Sequence, residues 1–231
     1  MTIVKKKIIV FSGAGLSAES GLGTFRDSGG LWDKYKIEEV ATPQAFDKNP
    51  GLVLDFYNIR RKQLLNSKPN IAHFSINKLS DKYDLSIITQ NIDDLHERSG
   101  AENVLHLHGK LIESKSIIDN KVYQISGEEL NIGDCCPKGG QLRPNVVWFG
   151  EQVPNMEIAI NMVEKAHIFI IIGTSLNVYP AASLVNYAVN AKRIVLVDPN
   201  PVANENDIDF ELISKKATEG VPDLVSDLLD D

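Results

Sequence analysis

Cysteine is scarce in this 231-residue sequence, and no hydrophobic run approaches the roughly 20 apolar residues that cross a bilayer. The two cysteines, Cys135 and Cys136, are adjacent, and neighbouring cysteines rarely form a disulfide with each other. A disulfide-stapled secreted domain is therefore excluded, and a reducing compartment is predicted. The first apolar run, residues 8–11, is too short for the core of a signal peptide. We expect a cytoplasmic protein with no membrane partner.

An excess of basic residues is also missing, since 24 Lys and Arg stand against 31 Asp and Glu and give a net charge of −7. Binding to phosphates needs a basic face, so nucleic acid is a poor partner. A hydrophobic content of 43% excludes a disordered or collagen-like chain. A chain of this length buries about 72% of its surface on folding, which is enough for one large core with or without a small additional module.

Four short apolar runs show no polar alternation, a pattern typical of strands buried on both faces of a parallel sheet covered by helices. Short buried helical segments are the alternative. Small and polar residues follow each run, and in an open α/β sheet ligands bind at the carboxyl ends of the strands. These ends therefore predict a site for one polar ligand that spans several strands. The runs are residues 8–11, 85–88, 168–172 and 194–197.

Helices are predicted between the strands, where apolar residues recur with a period near 3.6. Residues 110–143 differ, because they combine polar alternation, several glycines and both cysteines. This stretch indicates a small, hairpin-rich insertion. The predicted helices cover residues 49–65, 69–81, 156–166 and 181–191.

The segment Gly13-Ala14-Gly15-Leu16-Ser17-Ala18 follows the first predicted strand and matches the G-x-G-x-x-A variant of the dinucleotide-binding fingerprint. Glycines here allow a tight turn and let backbone N–H groups approach a pyrophosphate. An ordinary glycine turn without a ligand remains the alternative interpretation, because the fingerprint's acidic residue at the end of a second strand, about 20 residues later, is missing. The glycine-rich residues 21–32, with Phe25 and Arg26, indicate either a flexible cover over a ligand or a surface loop.

Polar residues Gln90, Asn91 and Asp93 follow the second predicted strand and can hydrogen-bond a ribose or a carboxamide. Asn91 or Asp93 would equally suit a helix N-cap. Further on, His106 and His108 share one face of an extended segment. Histidine titrates near neutral pH, as a general base requires, and the glycine after His108 would let a ligand approach it. A purely structural role for either histidine stays open.

Tyr57 and Arg60 are three residues apart on a predicted helix and therefore lie on one face. Arginine offers charge-assisted hydrogen bonds and tyrosine a hydroxyl, so the pair is a candidate clamp for a carboxylate. Spacing alone leaves a solvated helix face open, because Arg61 and Lys62 continue the run of charge.

Taken together, five segments resemble the signature of the sirtuin family, in family order and over nearly the whole chain. The likeness is greatest to bacterial deacylases of the sirtuin-5-like class. In that class Tyr57 and Arg60 correspond to the pair that recognises acidic acyl groups. The segments are residues 13–26, 89–93, 107–109, 142–151 and 173–175.

This resemblance implies an NAD-consuming protein-lysine deacylase that removes succinyl, malonyl and acetyl groups and releases nicotinamide, O-acyl-ADP-ribose and free lysine. His108 would act as general base on a ribose hydroxyl, and Asn91 would be the second catalytic residue. Acylated lysine peptides and proteins are the expected substrates, and a monomer is the expected state. Mono-ADP-ribosyl transfer to protein is an alternative that the acidic-acyl pair disfavours. A non-catalytic NAD-sensing module is another, which the intact His108, Asn91 and Asp93 disfavour.

By the same resemblance, NAD would bind at the strand ends and the acyl-lysine peptide between the two parts of the protein. The residues implied for NAD are Gly13, Ala14, Gly15, Ser17, Ala18, Glu19, Phe25, Arg26, Gln90, Asn91, Asp93, Gly173, Thr174, Ser175, Asp198, Asn200 and Ala217. Those implied for the substrate are Tyr57, Arg60, Phe149, Gly150, Glu151, Leu176, Asn177 and Val178.

The implied fold is a single α/β catalytic domain over residues 1–231, with a Rossmann-like parallel sheet and a smaller domain formed by two insertions. One insertion is a helical segment and the other a hairpin region that resembles a degenerate zinc module. The Rossmann-like part would comprise residues 1–38, 72–110 and 145–231, and the small domain residues 39–71 and 111–144.

A four-cysteine zinc module is usual in the family, and this chain departs from it. The first cysteine pair is absent, and at the second pair Cys135 matches one ligand position while Lys138 stands at the other. Two adjacent cysteines cannot supply four tetrahedral thiolates, so we predict no structural zinc and no other bound metal. We expect apolar packing to hold the module instead, through Ile117, Ile118, Val122, Tyr123, Ile125 and Leu130.

Overall fold

The computed structural model describes residues 5–23, 34–201 and 209–231 of the chain. Phe25 and Arg26, and with them most of the predicted cover loop, lie outside the described residues. The strands are β1 (Lys7–Ser12), β2 (Asp84–Thr89), β3 (Val104–His106), β4 (Gly109–Ser116), β5 (Val122–Gln124), β6 (Leu142–Val146), β7 (Ile168–Ile172), β8 (Arg193–Val197) and β9 (Glu211–Ile213).

Helices alternate with these strands along the described residues. They are α1 (Gly15–Ala18), α2 (Ile37–Val40), α3 (Pro43–Lys48), α4 (Pro50–Asn66), α5 (Ile71–Lys78), α6 (Leu95–Arg98), α7 (Met156–Val163) and α8 (Ala217–Asp230). Two 3-10 helices cover Leu79–Asp81 and Ala181–Tyr187. Within the described ranges, no helix is both long and apolar enough to span a membrane.

Six strands form a parallel sheet in the order β3-β2-β1-β7-β8-β9. The four apolar runs are its central strands, which confirms the predicted parallel sheet. The edge strands β3 and β9 have three residues each and were not predicted, because so short a run shows no readable period. The parallel arrangement brings the carboxyl ends of β1, β2, β7 and β8 to one edge of the sheet.

Side chains of β1 alternate between the two faces of this sheet. Ile8 and Val10 pack into a core with residues of α5 and α8, while Ile9 and Phe11 pack into a second core with residues of α7. All four side chains are fully buried. A strand covered on both faces has no polar face, and this explains the unbroken apolar run.

The predicted helices were partly confirmed. The first is α4, where the Asn49 side chain accepts a hydrogen bond from Leu52 N at 3.1 Å and Pro50 occupies the first turn. The second divides into α5 and the 3-10 helix Leu79–Asp81, and the third ends earlier, at Val163. The fourth was wrong in type, since Ala181–Tyr187 is a 3-10 helix, and a short apolar repeat does not distinguish the two forms.

The hairpin-rich insertion is confirmed as an antiparallel sheet in the order β5-β4-β6. It shares a third core with α2, α3 and α4, to which Leu130 contributes as predicted. The expected packing of Ile117, Ile118 and Val122 was wrong, because these side chains are 54%, 57% and 50% exposed. They lie in the β4–β5 turn and at the start of β5. The division of the chain at the stated domain boundaries stays a prediction.

Candidate active site

The glycine segment after β1 is packed directly against the loop after β7. Gly13 N donates to Ile172 O at 2.9 Å, and Gly15 N donates to Gly173 O at 2.8 Å. A Cβ on Gly13 would stand 2.7 Å from Gly173 O, so the close approach of the two backbones requires glycine. Both N–H groups already have backbone acceptors, and the approach of a pyrophosphate to this segment stays a prediction. The following helix, α1, is a single turn with no side-chain cap, and Ala14 and Ala18 lie at its two ends.

The loop after β2 joins the loops after β1 and β7. The Asn91 side-chain amide donates to Gly13 O at 3.1 Å and to Ser17 Oγ at 3.2 Å. The Gln90 side-chain amide donates to Thr174 Oγ1 at 3.0 Å. These bonds gather residues from three strand ends, as the sequence predicted for one ligand spanning several strands.

Asp93 is buried behind this loop and is held at the start of α6. Its Oδ1 accepts a hydrogen bond from Leu95 N at 3.1 Å, so the capping alternative applies to Asp93 in part. Burial raises the pKa of the Asp93 carboxyl, and hydrogen bonds from Leu95 N and Ser17 oppose the increase.

His108 has a defined tautomer. Its Nδ1 lies 2.9 Å from Gln90 O, and because a carbonyl can only accept, Nδ1 carries the proton. Nε2 therefore keeps a lone pair, as a general base requires. Burial lowers the pKa of His108, while the bond to Gln90 raises it. The neutral ring is the form present at neutral pH.

His106 makes a similar hydrogen bond to the residue after Gln90: its Nδ1 lies 3.0 Å from Asn91 O. Its Nε2 lies 2.9 Å from Glu97 Oε1, so both ring nitrogens have hydrogen-bond partners within the protein. Burial acts to raise the pKa of Glu97, but hydrogen bonds from His106 and Lys110 lower it to about 2. His106 thus fixes the position of Asn91, a role that the sequence did not single out.

Gly109 is required by the backbone. Its φ is +77°, and a Cβ there would collide with Asn145 O on β6. The expectation that this glycine lets a ligand approach His108 stays a prediction. Glycine lets the chain turn from the main sheet into β4.

The remaining residues implied for NAD lie at the same edge of the sheet. Gly173, Thr174 and Ser175 follow β7. Thr174 Oγ1 also accepts from Leu176 N at 3.2 Å. After β8, the buried Asp198 accepts a hydrogen bond from Asn200 N at 2.8 Å.

Glu19 links α1 to the start of α8. Its Oε2 accepts from Thr218 N at 3.1 Å and from Thr218 Oγ1 at 2.6 Å. Ala217, the first residue of α8, is buried in the core beside this contact. Their roles toward NAD stay predictions.

Tyr57 and Arg60 lie on α4, as predicted. Tyr57 is 2% exposed, and its hydroxyl accepts a hydrogen bond from Trp148 Nε1 at 3.0 Å. Burial raises the pKa of Tyr57 to about 12, and the charge of Arg60 opposes this. Burial lowers the pKa of the Arg60 guanidinium, with Tyr57 and the Asp93 carboxylate acting the other way. Arg60 therefore lies near both Tyr57 and Asp93, a residue implied for NAD.

The alternative of a solvated helix face fails for Arg61. This side chain is 1% exposed, and it donates to Leu111 O at 2.9 Å and to Glu128 O at 3.2 Å. Burial lowers its pKa to about 10. Only Lys62, paired with Glu129 at 2.8 Å, lies at the surface as that alternative expected.

Two segments are implied for the peptide, residues 149–151 and 176–178. Phe149 N donates to Ala41 O at 3.0 Å, and Gly150 has a φ of +89°. Glu151 turns inward, accepting hydrogen bonds on Oε2 from Trp148 N and Arg143 Nη2, each at 2.8 Å. On the second segment, Leu176 has a φ of +54°, Asn177 is exposed and Val178 leads into the 3-10 helix. Contact of these segments with a peptide stays a prediction.

The place of the family's zinc module holds a different set of contacts. Lys138 Nζ lies 3.0 Å from Asp119 Oδ2, and Ser116 Oγ donates to Cys136 Sγ at 3.2 Å. Cys135, which matches a ligand position in sequence, is exposed. One thiol, one carboxylate and a lysine cation do not fit a zinc site. The described residues include no group of three or more potential metal-ligating side chains.

Comparisons with known proteins agree on one family. The model of the Sir2 family matches residues 13–180. An NAD-dependent protein deacylase of Bacteroides thetaiotaomicron is 48% identical over 225 residues, which covers 95% of this chain and 96% of that protein. A solved complex of a mutant Sir2 homologue with ADP-ribose has a TM-score of 0.90 at 38% identity, covering 98% of this chain and 93% of the other. A Sir2–p53 peptide–NAD⁺ complex has a TM-score of 0.81 at 29% identity, covering 98% and 95%.

Proposed function

Because this chain belongs to the Sir2 family, we propose that it is an NAD-dependent protein-lysine deacylase that removes succinyl and malonyl groups as well as acetyl groups. The observation that carries the activity is the tautomer of His108, whose Nδ1 is bonded to Gln90 O and whose Nε2 is left basic. The observation that carries the acyl preference is the pairing of Tyr57 with Arg60 on one face of α4.

NAD, as co-substrate, would supply a ribose carbon for attack by the acyl oxygen, with nicotinamide as the leaving group. The loops after β1, β2, β7 and β8 would hold it, with Asn91 bonded to Gly13 and Ser17 and Gln90 bonded to Thr174. His108 Nε2 accepts a proton from a ribose hydroxyl, which makes that oxygen a nucleophile. His106 acts behind it by holding the backbone of Asn91.

Acidic acyl groups need a cation, because burying an unpaired carboxylate in an apolar channel is costly. Arg60 supplies the charge and Tyr57 a hydroxyl donor, whereas an acetyl group makes neither contact. The proposal further places the protein in the cytoplasm, as a monomer that acts on acylated lysines of peptides and proteins.

The test incubates the protein with NAD and matched succinyl-, malonyl- and acetyl-lysine peptides, and mass spectrometry identifies the products. We expect nicotinamide, free lysine peptide and O-succinyl-ADP-ribose from the succinyl peptide. Transfer of ADP-ribose onto protein without loss of the acyl group would indicate an ADP-ribosyltransferase instead. Binding of NAD with no product would indicate a sensing module.

A further inference from the structure

We propose that Trp148 is a positioning residue for acidic acyl groups, because its indole N–H fixes the direction in which the Tyr57 hydroxyl donates. The inference rests on the proposed function of Tyr57 and Arg60 and assigns a further specificity-determining residue to that site. Trp148 is the residue of the β6–α7 connection that contacts Tyr57, 91 positions away in the sequence.

The polarity of the Trp148–Tyr57 bond is fixed by chemistry. An indole N–H can only donate, so in the 3.0 Å contact the Tyr57 oxygen must accept. A phenol that accepts at oxygen still carries its own proton. In the part of the chain that the structure describes, no acceptor takes that proton from Tyr57. A carboxylate is an acceptor, and it completes the sequence indole N–H to phenol O–H to carboxylate.

Trp148 is itself held firmly. The Arg143 guanidinium lies over the indole, with Cζ 3.6 Å from the ring centroid. Arg143 Nη2 bonds to Glu151 Oε2 at 2.8 Å, and the same carboxylate oxygen accepts from Trp148 N at 2.8 Å. Phe46 packs on the ring with centroids 5.4 Å apart. The indole therefore has one orientation available, and its N–H points to one acceptor.

The hydrogen bond between Trp148 and Tyr57 is buried, and burial strengthens its control over the Tyr57 hydroxyl. Trp148 and Tyr57 are each 2% exposed, so bulk water does not compete for the indole N–H or the phenol oxygen. Without the indole N–H, the Tyr57 O–H bond can rotate about the C–O bond, and the protein no longer sets the direction of its proton. An acetyl group has no carboxylate to receive that proton. The effect should thus separate acidic acyl groups from acetyl.

The first experiment measures kcat and KM of Trp148→Phe on succinyl- and acetyl-lysine peptides of identical sequence. Phenylalanine keeps an aromatic ring in the core and removes the N–H. We expect the ratio of kcat/KM for succinyl over acetyl to fall about fivefold, the effect of one neutral hydrogen bond, mainly through a higher KM for the succinyl peptide. An equal loss on both peptides would mean that Trp148 is only structural and would overturn the proposal.

A double-mutant cycle gives the second readout. Tyr57→Phe alone should lower the same ratio about tenfold. In the Tyr57→Phe background, Trp148→Phe should cause no further change in the ratio, because its effect passes through the Tyr57 hydroxyl. Additive effects of the two substitutions would contradict the proposed coupling.

A third variant keeps the test valid if Trp148→Phe does not fold. Replacing Trp148 with β-(3-benzothienyl)alanine keeps the bicyclic shape and exchanges N–H for sulfur. The same selective loss is expected, and an unchanged ratio would overturn the proposal. Phe46→Leu serves as a packing control, because it loosens the contact with the indole and leaves the N–H in place. It should lower the melting temperature without changing the succinyl-to-acetyl ratio.

The wild-type protein separates the two levels of inference. If it does not remove succinyl groups, the acidic-acyl preference fails whatever Trp148 does. If it removes them and Trp148→Phe leaves the ratio unchanged, only the role of Trp148 fails.

Discussion

Mild acid should destabilise this protein strongly, because two histidines are buried side by side in their neutral form. His73 on α5 and His96 on α6 are 0% and 1% exposed, and their ring centroids are 5.2 Å apart. His96 Nε2 lies 2.9 Å from Ser12 Oγ beneath the candidate site. His73 Nε2 and His96 Nδ1 have no hydrogen-bond partner among the residues the structure describes. Protonation would therefore place two unpaired cations in the core.

The magnitude follows from proton linkage. Burial lowers the pKa of His73 to about 4 and that of His96 to about 3, against an ordinary value of 6.5. The unfolded chain binds protons below pH 6.5 while the folded chain does not, so stability falls as the pH falls. Each pKa unit corresponds to about 1.4 kcal/mol. At pH 5 each histidine then costs about 2 kcal/mol, and the pair about 4 kcal/mol of the free energy of unfolding.

The assay is urea unfolding from pH 7.5 to 5.0, followed by circular dichroism, on the wild-type protein, His73→Gln and His96→Gln. Glutamine keeps a polar group and does not titrate, so each variant should show about 2 kcal/mol less loss over this range than the wild type. His108, whose pKa burial also lowers, is present in all three proteins and cancels in the comparison. Identical pH dependence in the variants and the wild type would refute the reasoning.

Four other outcomes are expected. Arg60→Met should lower kcat/KM for succinyl-lysine peptide about 100-fold and leave acetyl-lysine turnover within a few-fold, because only the acidic group loses a charge-assisted contact. Peptide kinetics test this prediction, and equal losses on both peptides would contradict the carboxylate clamp. His108→Ala should abolish turnover but leave NAD binding, measured by calorimetry, largely intact. EDTA should leave the melting temperature unchanged, and metal analysis that found stoichiometric zinc would contradict the metal-free reading. Arg61→Met should lower the free energy of unfolding by about 3 kcal/mol in urea titration, because the buried Leu111 carbonyl and the part-buried Glu128 carbonyl lose a charged donor.

Much of the fold could be predicted because its central strands are buried on both faces. The run in β7 contains only apolar residues, and the structure places its ends where the sequence did, at residues 168–172. The same reasoning could not find β3 or β9, since three residues at a sheet edge carry too little pattern. It also could not separate a 3-10 helix from an α-helix at Ala181–Tyr187.

The candidate site shows the same limit at the level of single contacts. Tyr57 and Arg60 could be paired from their spacing, because residues three positions apart on a helix lie on the same face. The partner of Tyr57, Trp148, lies 91 residues away, and no local pattern announces it. Gly109 was predicted to matter, but the atom that makes it necessary belongs to Asn145, on a strand that reaches it only after folding. Local spacing predicts which side chains share a face, and tertiary structure decides what that face meets.

The contacts at the place of the family's zinc module contribute little to holding the hairpin region. Structural zinc contributes on the order of 10 kcal/mol, whereas an ion pair with an exposed lysine, such as Lys138 with Asp119, contributes little because solvent screens it. The stronger link is buried on α4. Asn58 donates to Leu130 O at 3.1 Å and accepts from Leu130 N at 2.9 Å, and Arg61 bonds to the β4 backbone at Leu111 O.

These bonds fix the hairpin region to the helix that also carries Tyr57 and Arg60. Asn58 and Arg61 point to the small sheet, and Arg61 donates to Asn58 Oδ1 at 2.7 Å, so the two act as one buried unit. Because Trp148 follows β6 of that same sheet, a shift of α4 against the sheet would also move the indole N–H away from Tyr57. The contacts of Asn58 and Arg61 that anchor the hairpin region to α4 therefore also keep Tyr57 in place against Trp148, and stability and the predicted preference for acidic acyl groups should be lost together when they are broken.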